Sequence, residues 1–184
     1  ADDPSAERRG TMTSDATYTG GDDDDPAADS LAARLLFPLS NANTLSGGSG
    51  DVVEYRVSLP ASGQWYLWGR FYWPGAPGSN DANSFIARVD GGAALKLGNN
   101  KDYFRKWHWG GDGVRESGTP QALSLGDLAG GVHTLAIEKR EAVPIPPRLD
   151  LLVLTRDAAW RPTDDAAIDA LGDLLSRANV TTTS

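Results

Sequence analysis

At 184 residues and 40% hydrophobic content the chain is long enough for one domain with its own core, and without cysteine it excludes a disulfide framework and a thiolate metal site. The net charge of −8 sits almost wholly in residues 1–30, whose nine acids and two arginines give −7. The nearly neutral remainder argues against a nucleic-acid binder, which would need a basic face, and no apolar run reaches the ~20 residues of a membrane span. A start at Ala1 rather than methionine is what a processed product or an excised module would have.

Residues 1–30 are small, acidic and poor in groups to bury, and are expected to form an extended arm. The run Asp22 to Asp25 reads as a solvated acidic stretch, because adjacent carboxylates on an extended chain do not converge on one cation. Leu31 to Leu39 is the first segment able to pack, as an edge strand or a short helix ended by Pro38. From residue 51 the pattern becomes that of β-strands. Val53, Tyr55, Val57 and Leu59 alternate with Glu54, Arg56 and Ser58. A turn at 60–63 leads into the aromatic strand 64–73, a polar loop at 74–83, and a strand at 84–90 with Phe85, Ala87 and Val89 on one face. Asp90-Gly91-Gly92 makes a hairpin turn to a short strand around Leu95 and Leu97. A second polar loop, 98–106, precedes the strand at Trp107 and Trp109. Then come an excursion at 110–120, a strand segment at 122–125, a turn at 126–131, a strand at 132–140, a proline-rich loop at 141–148 and an apolar strand at 149–155.

After Pro162 the period lengthens. Ile168, Leu171, Leu174 and Leu175 share one face of a helix expected over 164–178, with Thr163 as N-cap. Asn179-Val180-Thr181 is a sequon of low specificity. Short strands separated by turns, without long alternating helices, predict an all-β protein: an antiparallel β-sandwich over 31–157, an acidic arm over 1–30, and a linker, short amphipathic helix and tail over 158–184.

Twelve of the fifteen aromatic residues lie between Tyr55 and Trp109. A strand sends successive side chains to opposite faces, so the run 65–73 cannot bury every ring on one face. Trp65, Leu67 and Phe71, with Gly69, are expected in the core, and Trp68 either covers the outer face or meets a ligand. Trp107 and Trp109 share a face, and at least one is expected to be buried. If 107–125 makes one interrupted pass along the sandwich, strand parity puts the loops 74–83, 98–106 and 141–148 at one end. The turns 60–63, 91–92 and 126–131 then lie at the other. The loop end carries Trp73, Asn80, Asn99, Asn100, Lys101, Tyr103, Arg105, Trp107, Trp109 and Arg140, a set suited to a sugar. Indole and phenol faces meet the C–H patches of a pyranose, amides pair with its hydroxyls, and lysine and arginine would serve an acidic sugar. His108 and His133 are far apart in sequence and are expected to pack rather than act together.

The stretch Val53–Asp157 resembles the galactose-binding-like jelly rolls that serve as carbohydrate-binding modules, close to families 6 and 35. The resemblance rests on Tyr55-Arg56-Val57, Trp65 through Arg70, Asn83-Ser84-Phe85 ending in Val89-Asp90-Gly91-Gly92, Trp107-His108-Trp109, Gly131 through Leu135, Arg140-Glu141, Leu149-Asp150 and Leu154 through Asp157. It implies a secreted, non-catalytic module, extracellular or periplasmic, that binds a polysaccharide or glycan through loops at one edge. Trp107 or Trp109 and a residue within 141–148 would take part. Such modules hold a structural calcium on a Glu-Ala-Glu type opening strand. Here 32–35 stands in that place without the acids, so structural calcium stays an open option whose usual acidic motif is not seen, and no cofactor is certain. The loop 142–147 is also apolar where an asparagine would be expected.

The rival reading is a structural or accessory subunit of an extracellular or membrane-associated assembly, binding protein through the arm, the 142–147 loop or the C-terminal helix. Catalysis would need facing carboxylates, for which Asp81, Asp102, Asp112 and Glu141 are the candidates, but no local motif marks any of them.

Overall fold

The computed structural model describes residues 52–76, 83–141 and 147–163, with the backbone of three short strands nearer the N-terminus. The first sheet runs in the order β1 (Ala6–Arg9), β4 (Val52–Leu59), β10 (Gly131–Lys139), β6 (Ser84–Val89), β7 (Leu95–Gly98). The second has β5 (Gly63–Tyr72) at its centre, with β11 (Arg148–Thr155) on one side. On its other side β8 (Trp107–Gly110) faces residues 69–72 and β9 (Leu123–Leu128) faces residues 63–67. Strands β2 (Thr13–Ser14) and β3 (Leu45–Ser46) pair separately. Every strand pair is antiparallel, so the all-β sandwich, a jelly roll, is the observed architecture.

Period-two alternation builds the core between the sheets. Val53 from β4, Phe85 and Ala87 from β6, and Leu135 and Ile137 from β10 meet Leu67 and Phe71 from β5 and Leu149 from β11. Trp65, Leu67 and Phe71 are buried as expected. Gly69 is required beneath Phe71, whose ring would lie 2.2 Å from a Cβ at that position. The other parity of β5 sends Trp68, Arg70 and Tyr72 to the outer face.

Because β8 and β9 lie end to end along β5, residues 107–128 do make a single interrupted pass. The loops after β5, after β7 and after β10 therefore share one end of the sandwich, and the short turns share the other. The excursion between β8 and β9 is tied to β7 and to its own return. Gly113 N–H donates to the Lys96 carbonyl and Asp112 N–H to the Gln121 carbonyl, each bond bridging from the excursion to a neighbouring strand or its own return. Gly111 sits so close to the backbone of Leu67 and Leu123 that no Cβ fits, at 2.6 and 2.5 Å. The segment 31–39, the helix 164–178, Asn179 and the acidic run 22–25 lie outside the described residues.

Candidate functional site

The residues singled out at the loop end divide into three groups. The first is the loop 99–105, and its polar side chains hold the neighbouring excursion. Asn99, at φ 80, donates from Nδ2 to the Gly113 carbonyl at 2.9 Å and is buried. Asn100 caps the 3-10 turn Lys101–Tyr103, accepting the Asp102 N–H at 3.0 Å, and donates to the Gly118 carbonyl at 2.8 Å. Lys101 pairs with Glu116 at 2.6 Å, and that hydrogen bond is the main reason the Glu116 carboxyl lies below its usual range. For Asn99 and Asn100 the expectation of ligand contact gives way to a structural role: their amides are committed to backbone carbonyls and only 4% of each residue is exposed.

The second group is aromatic and runs inward from the loop. Trp73 is fully buried and stacks on Phe71 at 4.7 Å, so its expected place as a ligand platform is corrected to a core position. His108 meets the Trp73 ring edge-on at 5.1 Å, and Tyr103 stacks on the other side of His108 at 4.9 Å. The Lys106 ammonium rests over Tyr103 at 4.7 Å from its centroid. Burial pushes the His108 imidazole down to about 3, so it is neutral in this column, as a packing histidine should be. Arg105 is exposed beside this column and is held at φ 59, in the left-handed region, while its N–H donates to the Trp73 carbonyl at 2.8 Å.

The third group lies on the outer face of the second sheet. Trp107 faces Tyr72 and Trp109 faces Arg70 across the β5–β8 ladder. Both indoles are half-buried, so the expectation that at least one would be buried does not hold. The Tyr72 and Trp107 rings lie 5.6 Å apart, and the Arg70 guanidinium sits 4.9 Å from the Trp107 centroid. Arg70 itself is fixed by Asp150 at 2.8 Å, a pair with side chains 4% and 0% exposed. Trp107 is thereby braced by a cation that is itself anchored. Arg70 and Tyr72 are parts of this site that the sequence reading missed, although an arginine inside an aromatic strand, at the parity of Trp68 and Tyr72, was the available signal. Trp68 lies further along the same face, 1% exposed, with the Arg161 guanidinium 5.3 Å above it.

Arg140 stands apart from these groups. It donates to Ser84 Oγ at 2.6 Å and to the Glu141 carboxylate, which also receives the Ser84 hydroxyl at 2.9 Å. Among the described residues, neither amide atom of the fully buried Asn83, beside Ser84, finds a hydrogen-bond partner. Asn80 lies outside the described residues. Among the described residues no group of three His, Asp or Glu is placed to hold a metal ion, and the buried carboxylate of Asp150 is neutralised by Arg70. The place of a calcium strand at 32–35 lies outside the described residues.

No protein-family model matches the chain, and no curated protein sequence matches it. Solved structures with a similar course include a family 35 carbohydrate-binding module from Paenibacillus barcinonensis, 11% identical, covering 84% of this chain and 94% of its own, with a TM-score of 0.48. Another from Clostridium thermocellum is 14% identical, covering 83% and 93%, with a TM-score of 0.48. A third, Xyl-CBM35 in complex with a glucuronic acid-containing disaccharide, is 14% identical, covering 85% and 91%, with a TM-score of 0.44. These likenesses concern the path of the chain and carry no residue-by-residue correspondence.

Proposed function

We propose that this chain is a non-catalytic carbohydrate-binding module that takes a polysaccharide or glycan at the loop end of its sandwich, on the indoles of Trp107 and Trp109. The observation that carries this reading is the pair of partly exposed tryptophans on one face of β8, with Trp107 braced by Arg70 and Tyr72. A ring held rigid from its side loses little entropy when a pyranose C–H face stacks on it, so most of the contact area is available as affinity. Arg105 and Lys106, both exposed in the two residues that lead into β8, would meet the hydroxyls or a carboxylate of the sugar. The resemblance of Val53–Asp157 to carbohydrate-binding modules supports the same reading, and with it a place outside the cytoplasm, where polysaccharide is met.

The test is retardation in affinity gels containing a panel of neutral and acidic polysaccharides. Retardation of the wild type on at least one polysaccharide is expected, with Trp107→Ala weakening it by roughly 30-fold, the equivalent of about 2 kcal/mol for a buried aromatic anchor. A folded wild-type protein retarded by none of them would refute the proposal.

A further inference from the structure

At the opposite end of the sandwich, two turns meet over the mouth of the core. The side chain of His133, 12% exposed, reaches both of them. Its Nδ1 lies 2.7 Å from Oδ2 of Asp90 in the β6–β7 turn, and its Nε2 lies 2.9 Å from the carbonyl oxygen of Ala129 in the β9–β10 turn. Both partners accept hydrogen bonds, and a neutral imidazole carries one N–H donor. Only the imidazolium serves both. We propose that His133 is a proton-operated latch: charged, it fastens the β6–β7 and β9–β10 turns to each other across the mouth of the core, and neutral, it holds only one of them.

The surroundings favour a local device over a diffuse charge effect. Asp90 is fixed independently of His133, because its Oδ1 accepts the Thr134 N–H at 2.8 Å and its own N–H donates to the Thr134 carbonyl at 2.8 Å. Among the described residues, the β9–β10 turn is also tethered by Gly130 N–H donating to Ser62 Oγ at 2.9 Å. Asp90 is the titratable group facing His133 from the β6–β7 turn. The other elements around it present apolar side chains, Val57 and Leu59 from β4, Leu125 and Leu128 from β9, and Leu154 from β11. Hydrogen bonds to Asp90 and then to Ala129 raise the His133 pKa above 6.5, while the Thr134 backbone bond and then His133 lower that of Asp90 below 3.8. A raised histidine pKa means that the clamp is complete below the ordinary histidine value and is lost as pH rises through the raised one. A lowered carboxylate pKa sets the acid limit, since the clamp also fails once pH falls through the Asp90 value.

The experiment is an NMR titration of the wild-type chain, reading the His133 ring and the backbone amides of the 129–131 turn together between about pH 5 and 9. The expected result is a His133 midpoint above 6.5, with the turn amides shifting at that same midpoint and losing exchange protection, corrected for intrinsic rate, above it. Asp90→Asn should return the midpoint towards 6.5. His108, neutral throughout this range, does not interfere. A wild-type midpoint at or below 6.5, or turn amides that stay unmoved while His133 titrates, would overturn the proposal without reference to any variant.

Discussion

Replacing Gly98 by alanine tests how the aromatic column under the 99–106 loop is held in place. Gly98 closes β7 at φ 93, in the region that side-chain-bearing residues avoid, and an alanine there costs about 1–2 kcal/mol in backbone strain alone. A Cβ at this position would lie 2.7 Å from Cζ2 and 2.8 Å from Cη2 of Trp73. That indole cannot retreat, because it is fully buried, stacked on Phe71 at 4.7 Å and edge-on to His108 at 5.1 Å. Forcing a methyl into such a contact adds about 1–3 kcal/mol of overpacking, for a total near 3 kcal/mol. At this chain length that lowers Tm by ~10 °C. Gly118 is the control. Its φ is 79 but a Cβ there would have nothing within 4 Å, so Gly118→Ala should carry the strain cost alone. Urea unfolding followed by tryptophan fluorescence gives both values. Equal losses for the two variants would refute the claim that Gly98 exists to admit Trp73.

Arg105→Gly removes the left-handed strain and the exposed cation together, so stability should rise by up to about 1 kcal/mol while glycan affinity falls; a stability gain with unchanged affinity would leave Arg105 out of the site. Arg70→Leu removes the guanidinium paired with the buried Asp150 carboxylate and should cost about 3–5 kcal/mol in chemical unfolding, whereas Arg70→Leu combined with Asp150→Leu should recover most of it. His108 is buried neutral with its pKa lowered to about 3. Below the ordinary histidine value the unfolded chain takes up a proton that the folded chain refuses. Its contribution therefore falls by about 1.4 kcal/mol per pH unit as pH drops from 6.5 towards 3, and His108→Phe should remove that slope from the acid limb of a pH–stability curve.

The strands were legible because alternation is local: Val53 to Leu59 and Trp65 to Trp73 state which residues face inward without reference to a partner. Strand parity also placed the loops 74–83, 98–106 and 141–148 at one end, which needs only the antiparallel rule and the single pass through β8 and β9. What the residue pattern does not contain is who bonds to whom across loops. Asn99 and Asn100 look like ligand amides until the carbonyls of Gly113 and Gly118 come to meet them from an excursion 14 and 18 residues away. Trp73 fails as a platform for a related reason. It continues the inward parity of Phe71, and counting two residues on from Phe71 would have put it in the core. Nothing local marks Arg70 as paired, because its partner, Asp150, is 80 residues distant.

The most direct measurement is a glycan titration of the uniformly 15N-labelled protein, following the six indole N–H signals. Sugar binding on the outer face of β8 predicts saturable shifts at Trp107 and Trp109, with Trp65 and Trp73 unmoved in the core and the turn end silent. Shifts confined to other tryptophans, or saturable binding that leaves both Trp107 and Trp109 untouched, would contradict the account.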